Sequence, residues 1–204
     1  MSYQLSAVIA DIDLLREETG DLDHAVLGEL RQDFALLPVT PLLVEELTGA
    51  PPDFTVEDLG PAHPFALVLS PPLTEVLVRW SRRGPVAYVE AEFSGGAGHQ
   101  AAAVWLGGTL SWGPRFDAAF DGPRDDWPIN GALVELGVEP GAWIDPFAEV
   151  GLHVERSTEG WLAHGRRRLS ADYWDELAEE WEKRQSPAGQ QPEGGGPVGD
   201  WGIP

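Results

Sequence analysis

The sequence predicts an α+β fold: an antiparallel sheet built around a meander at residues 85–113, with helices packed mainly on one face. Three observations carry this expectation. The segment PVAYVEAEFSGGAGHQAAAVWLGGTLSWG holds two apolar runs around the turn SGGAG and a third short run after Gly107 and Gly108, the signature of consecutive strands joined by tight turns. Runs with apolar residues at helical spacing lie on both sides of it. A composition of 43% hydrophobic residues, with nine Trp and seven Phe, supplies enough apolar surface to offset chain ordering.

Taken in order, Leu5, Ala7 and Ile9 sit among polar residues in a pattern that predicts a short strand through about Ala10, one face buried. Leu22, Val26, Leu27 and Leu30 recur at helical spacing, so a helix is expected within Leu14–Phe34, starting near Asp21 or Asp23 as its cap. LLVEELTG reads as a short helix stopped by Gly49. FALVLS, bounded by prolines, is a strand candidate, and LTEVLVRWSRRG a helix with Leu73, Val76, Leu77 and Trp80 on one face.

In the meander, alternation puts Val89, Ala91 and Phe93 on one side of the first strand and Tyr88, Glu90 and Glu92 on the other. His99, Ala101, Ala103 and Trp105 share a side of the second, and the many alanines imply a close neighbour. INGALVELGV predicts a helix ended by Gly137. DPFAEVGLHV reads as a helical turn leading into a strand, WLAHGRRRL as a final strand or irregular segment, and ADYWDELAEEWEKR as a helix capped by Ser170. The expected organisation is a single globular domain over residues 1–185, followed by a disordered Gly/Pro-rich tail, SPAGQQPEGGGPVGDWGIP, over 186–204.

Thirteen basic residues against thirty-four acidic ones give a formal charge of −21. Such a surface repels nucleic-acid phosphates and anionic membranes and steers a basic or cationic protein partner toward it. No nucleic-acid or membrane partner is expected. Without cysteine there is no disulfide, thiolate nucleophile or Cys-ligated metal. The first residues, MSYQLSAVIADIDLL, lack a basic stretch before the apolar ones, and Asp11 and Asp13 interrupt them, so a cytoplasmic location is expected.

Motifs for chemistry are sparse. Glu90 and Glu92 project from one side of a strand, and with His99 across the turn they are the candidate acid/base or ligand-binding cluster. Gly95, Gly96 and Gly98 would let backbone amides approach an anion, but the P-loop Lys and Ser/Thr are missing, and a plain hairpin explains the same residues. The Asp pairs at 11/13, 21/23 and 125/126 fit no calcium loop, and His24, His63, His99, His153 and His164 fit no zinc motif. No metal, cofactor or catalytic residue is expected. Arg166, Arg167 and Arg168 read as internal ion-pair partners. Trp112, Trp127, Trp143 and Trp161 lie in loop-like or edge-like contexts where Trp is either buried or used at an interface, and Trp201, in GDWGIP, reads as a short docking motif.

The run VAYVEAEFSGGAGHQAAAVW, followed by WPINGALVELGV, resembles an uncharacterised family of small acidic cytosolic proteins from actinobacteria that carry a Gly-Gly-x-Gly-x-Gln-x-Ala segment. The resemblance spans residues 74–165 and implies no catalytic residues. In size and acidity, though not in sequence, the chain is also similar to immunity proteins that neutralise toxins. The leading expectation is a non-enzymatic acidic protein-binding domain, such as an immunity-type inhibitor of a basic toxin. A small-ligand binder or enzyme using the Glu90/Glu92/His99 face and a structural component of a larger assembly are the alternatives.

Overall fold

A computed structural model describes residues 2–51 and 69–169. They belong, up to Arg167, to the compact unit Met1–Arg167. Residues 65–68 of the strand candidate FALVLS, the helix expected at 171–184, the domain end at 185, the tail 186–204 and Trp201 lie outside the described residues, and the last two residues of FALVLS, Leu69 and Ser70, are not strand.

Strand β1 (Tyr3–Asp11) runs directly into helix α1 (Ile12–Thr19). Asp11 makes the transition, because its carboxylate accepts the backbone N–H groups of Asp13 and Leu14 at 2.9 and 3.1 Å and so caps the new helix. Two short strands follow, β2 (Gly28–Glu29) and β3 (Phe34–Pro38), then α2 (Pro41–Thr48) and α3 (Pro71–Trp80). Thr40 and Ser70 cap these helices with their hydroxyl oxygens, and each has proline in its first turn. The meander consists of β4 (Val86–Ser94), β5 (Ala97–Leu106) and β6 (Thr109–Asp117). After it come a 3₁₀ turn (Arg124–Asp126), α4 (Pro128–Leu136), α5 (Pro146–Val150) and α6 (Thr158–Leu169).

The six strands form one antiparallel sheet in the order β2-β3-β1-β4-β5-β6. An α+β architecture with the expected meander is therefore present. Helices do not keep mainly to one face. Val8, Ala10, Tyr88, Ala101 and Ala103 pack with residues of α1, α2 and α3, including Leu15, Leu43, Leu77 and Trp80. Ala7, Ile9, Ala87, Val89, Ala102 and Val104 pack on the other face with Ile129 and Leu133 of α4, Val150 of α5 and Trp161 of α6. Strand residues buried on both sides read as near-continuous apolar runs, and the runs AVIA, VAYV and AAAVW have that form. The alanines do mark close approach, since Ala87, Ala91 and Ala102 lie in the layer beneath α4.

Three local expectations change. The segment after Gly20 is not helical: the backbone N–H groups of Asp23 and His24 are taken by the Glu46 carboxylate on α2 at 2.7 and 2.9 Å, so they make no helical ladder. WLAHGRRRL is neither strand nor irregular but part of α6, whose first turn is tied by Ser157 Oγ accepting the Gly160 N–H at 3.0 Å. The turn DPFAEV is helical as expected, but GLHV does not continue as a strand, because Gly151 (φ 94°) turns the chain.

The open edges of the sheet are β2, two residues long, and β6, whose pairing with β5 shifts register between Ala102 and Val104 and again before Trp105. Pro114 sits in β6, in a cis peptide with Gly113. No helix among the described residues is long and apolar enough to cross a membrane.

Candidate functional site

The sequence-predicted residues divide between two environments. Glu90 is 6% exposed, and its carboxylate accepts the Tyr88 hydroxyl at 2.6 Å. The Ser6 hydroxyl, on the neighbouring strand, also hydrogen-bonds to the buried Tyr88 side chain. Burial pushes the Glu90 carboxyl up to about 7, only partly opposed by the Tyr88 hydrogen bond, and burial with the adjacent Glu90 charge drives the Tyr88 phenol well above its ordinary range. Glu92, two residues on, is exposed and pairs in register with His99, whose ring lies 5.4 Å from that of Phe116. The two glutamates thus share a face without sharing an environment. Among the described residues no group of three or more His, Asp or Glu is arranged to hold a metal ion.

Gly95 and Gly96 form the two-residue turn between β4 and β5, at φ 62° and 92°. A turn with both central residues at positive φ matches strand twist and needs glycine there for conformational reasons. Gly98 faces the Glu92 carbonyl and the Phe93 ring so closely that a β-carbon would collide with both. The hairpin accounts for all three glycines.

A different site emerges where β6, α4, α5 and the loop before α5 meet. A cleft of about 880 Å³ is lined by Trp112, Trp143, Val134, Val138, Ile144 and prolines, and by the carboxylates of Asp125, Asp126, Glu135, Glu139, Asp145 and Glu149. Arg115 is the basic residue in its lining. Two glycines let the walls close up. A β-carbon on Gly131 would sit 2.6 Å from the Trp112 ring, and one on Gly141 would strike the Glu149 carboxylate.

The floor of the cleft is held by a polar network. Asn130 on α4 donates to the Arg124 carbonyl at 2.8 Å and accepts the Phe147 N–H at 2.8 Å, linking the 3₁₀ turn, α4 and α5. Asp145 is 8% exposed, caps α5 through the Ala148 N–H at 2.8 Å, and pairs with Arg124 at 3.1 Å. The Glu149 carboxylate accepts the Trp143 backbone N–H at 3.1 Å. Guanidinium groups stack on the surrounding indoles: Arg31 on Trp143 at 4.8 Å from the ring centroid, Arg115 on Trp112 and Arg124 on Trp127 at 5.5 Å each.

One wall is clamped from a distance. Gln32, at the tip of the β2–β3 hairpin, donates its amide to the Glu139 carbonyl at 3.0 Å and accepts the Glu139 N–H at 2.9 Å. Gln32 and the next residue, Asp33, both adopt φ 60°, a conformation uncommon without glycine and costing on the order of 1 kcal/mol or more. Gln32→Ala is expected to lose about 1–2 kcal/mol in urea unfolding, because it gives up both bonds and keeps the backbone cost. Gln32→Gly relieves that cost and is expected to lose less.

Sequence reasoning noted Trp112, Trp127 and Trp143 without joining them. Asp125 and Asp126 fit no calcium loop, and Glu135, Glu139 and Glu149 belong to no motif. The available signal was tryptophan in Gly/Pro-rich segments that also carry acidic residues, as in PRDDWP and EPGAWIDP. Comparison of the chain with known protein families, with characterised proteins and with solved structures finds no match.

Proposed function

We propose that this chain is a non-catalytic binding protein for a basic protein, in the manner of an immunity-type inhibitor of a basic toxin, and that the partner docks at the acidic, tryptophan-lined cleft. The observation that carries the reading is the lining itself: six carboxylates and two indoles around one cavity, with one arginine among them, on a chain of net charge −21. Acidic walls steer a basic partner and set its orientation, while apolar and aromatic surface at the centre supplies the part of the affinity that salt does not screen. Trp143 at 51% exposed and Ile144 at 74% exposed give that surface.

The enzyme reading based on Glu90, Glu92 and His99 has less support. A carboxyl titrating near neutrality is often a mark of chemistry, but Glu90 is buried against Tyr88 while Glu92 stands in solvent. Its perturbed titration has a sufficient cause in burial alone.

The test is purification of the tagged chain from its native host, beside a variant carrying Asp126→Lys and Glu135→Lys. Both positions are exposed, so the variant is expected to fold. The expected result is one dominant basic protein that co-purifies with the wild type, weakens as salt rises, and is lost by about tenfold or more with the variant. Retention of the same partner by the variant would move the interface elsewhere. Failure to retain any basic protein at low salt would end the reading.

A further inference from the structure

Resting on that reading, we infer that the group anchoring the partner in the cleft is an arginine side chain, its guanidinium stacked on Trp143 beside the Glu149 carboxylate. Trp143 lines the cleft and remains 51% exposed with Arg31 over its ring at 4.8 Å and the His153 ring 5.1 Å away, so part of the indole is left for a ligand. The carboxylate beside it is fixed in place. Glu149 Oε2 accepts the Trp143 backbone N–H, and its head rests against Gly141. A carboxylate has about four acceptor sites, and one such bond leaves several for a donor entering the cleft.

A guanidinium uses both features at once, because its flat face stacks on a ring while the N–H groups at its edge reach a carboxylate in the same plane. An ammonium group has no flat face and holds its water more strongly, so it gains charge attraction and little else. The protein applies the same combination at Asp145, two residues on from Trp143. Arg124 stacks on Trp127 at 5.5 Å while its Nη1 donates to the buried Asp145 at 3.1 Å. Trp143 and Glu149, joined through the Trp143 backbone N–H, supply the same two kinds of group with the arginine left to the partner.

The full-length protein is titrated by calorimetry with hexa-arginine and with hexalysine at equal ionic strength, since the two peptides carry the same charge. Hexa-arginine is expected to bind about tenfold more tightly, and Trp143→Ala to bring the two within about twofold of each other. An unchanged circular dichroism spectrum and thermal midpoint of that variant establish that the fold is intact. Equal affinity of the wild type for both peptides would overturn the arginine assignment and leave the basic-partner reading standing. Binding of neither peptide at low salt would overturn both. An arginine preference that survives Trp143→Ala would overturn the assignment to this indole.

Discussion

Trp161→Ala is expected to cost about 3–5 kcal/mol of folding stability, as full truncation of a buried aromatic does. Trp161 is 1% exposed and joins α6 to the sheet face formed by Ala7, Ile9 and Leu36. Its ring lies on Gly28 of β2, where a β-carbon would come within 2.5 Å of Cε3. The truncation therefore removes core area and opens a void where the helix meets the sheet. Trp161→Phe is expected to cost much less, because the indole N–H of Trp161 has no hydrogen-bond acceptor among the described residues and phenylalanine dispenses with that buried donor. Gly28→Ala gives an independent check. It should destabilise by about 1–3 kcal/mol through overpacking, and by clearly less when Trp161 is leucine. Urea unfolding of the wild type, the four single variants and the Gly28→Ala/Trp161→Leu double variant measures all of this, and additive effects of Gly28 and Trp161 would show that the two are not in contact.

A second large effect concerns pH. The Glu90 carboxyl titrates near 7 in the folded chain against 4.5 as its ordinary value, through burial. Its raised value means that the folded state holds this proton more tightly than the unfolded state. The resulting stability is fully present below about pH 4.5 and is lost as pH rises through about 7. At 1.36 kcal/mol per pKa unit the difference across that window is about 3 kcal/mol. Glu90→Gln keeps an oxygen to accept the Tyr88 hydroxyl and removes the ionisation. The variant is therefore expected to match the wild type near pH 4.5 and to exceed its stability by about 3 kcal/mol near pH 8.5. The comparison cancels the many other carboxylates of an acidic chain. Parallel stability profiles of the two proteins would show that Glu90 ionises in the fold at no cost.

The parts of the fold that were legible in the sequence are those with local causes. Gly49 and Gly137 after leucine-rich runs mark helix ends by capping chemistry that needs no distant partner. The meander was legible because Gly95-Gly96 and Gly107-Gly108 both supply the positive φ of a two-residue turn. Where a distant group decided the outcome, the local pattern misled. Leu22, Val26, Leu27 and Leu30 have helical spacing, yet Glu46 on another element captures the backbone that a helix would have used. Helix α6 was obscured by Gly160 and Gly165, and Gly165 is needed because a β-carbon there would lie 2.6 Å from the Leu27 carbonyl.

The buried second face and the cleft were hidden for the same reason. Glu90 reads as the solvent side of a strand until the sheet is seen to be covered on both sides. The cleft joins residues from β6, the 3₁₀ turn, α4 and α5, and depends on a clamp between Gln32 and Glu139, 107 positions apart. No spacing within a sequence expresses that closure.

The two margins of the sheet bear on how this molecule meets copies of itself. A free strand edge is a template on which another chain can add, and repeated addition builds fibres. On one side β2 offers two residues, too short a ladder to seed such growth, and on the other β6 breaks register with its neighbour and carries Pro114, which has no N–H to give. Among the described residues, neither margin of the sheet offers a long regular ladder on which a second copy could add.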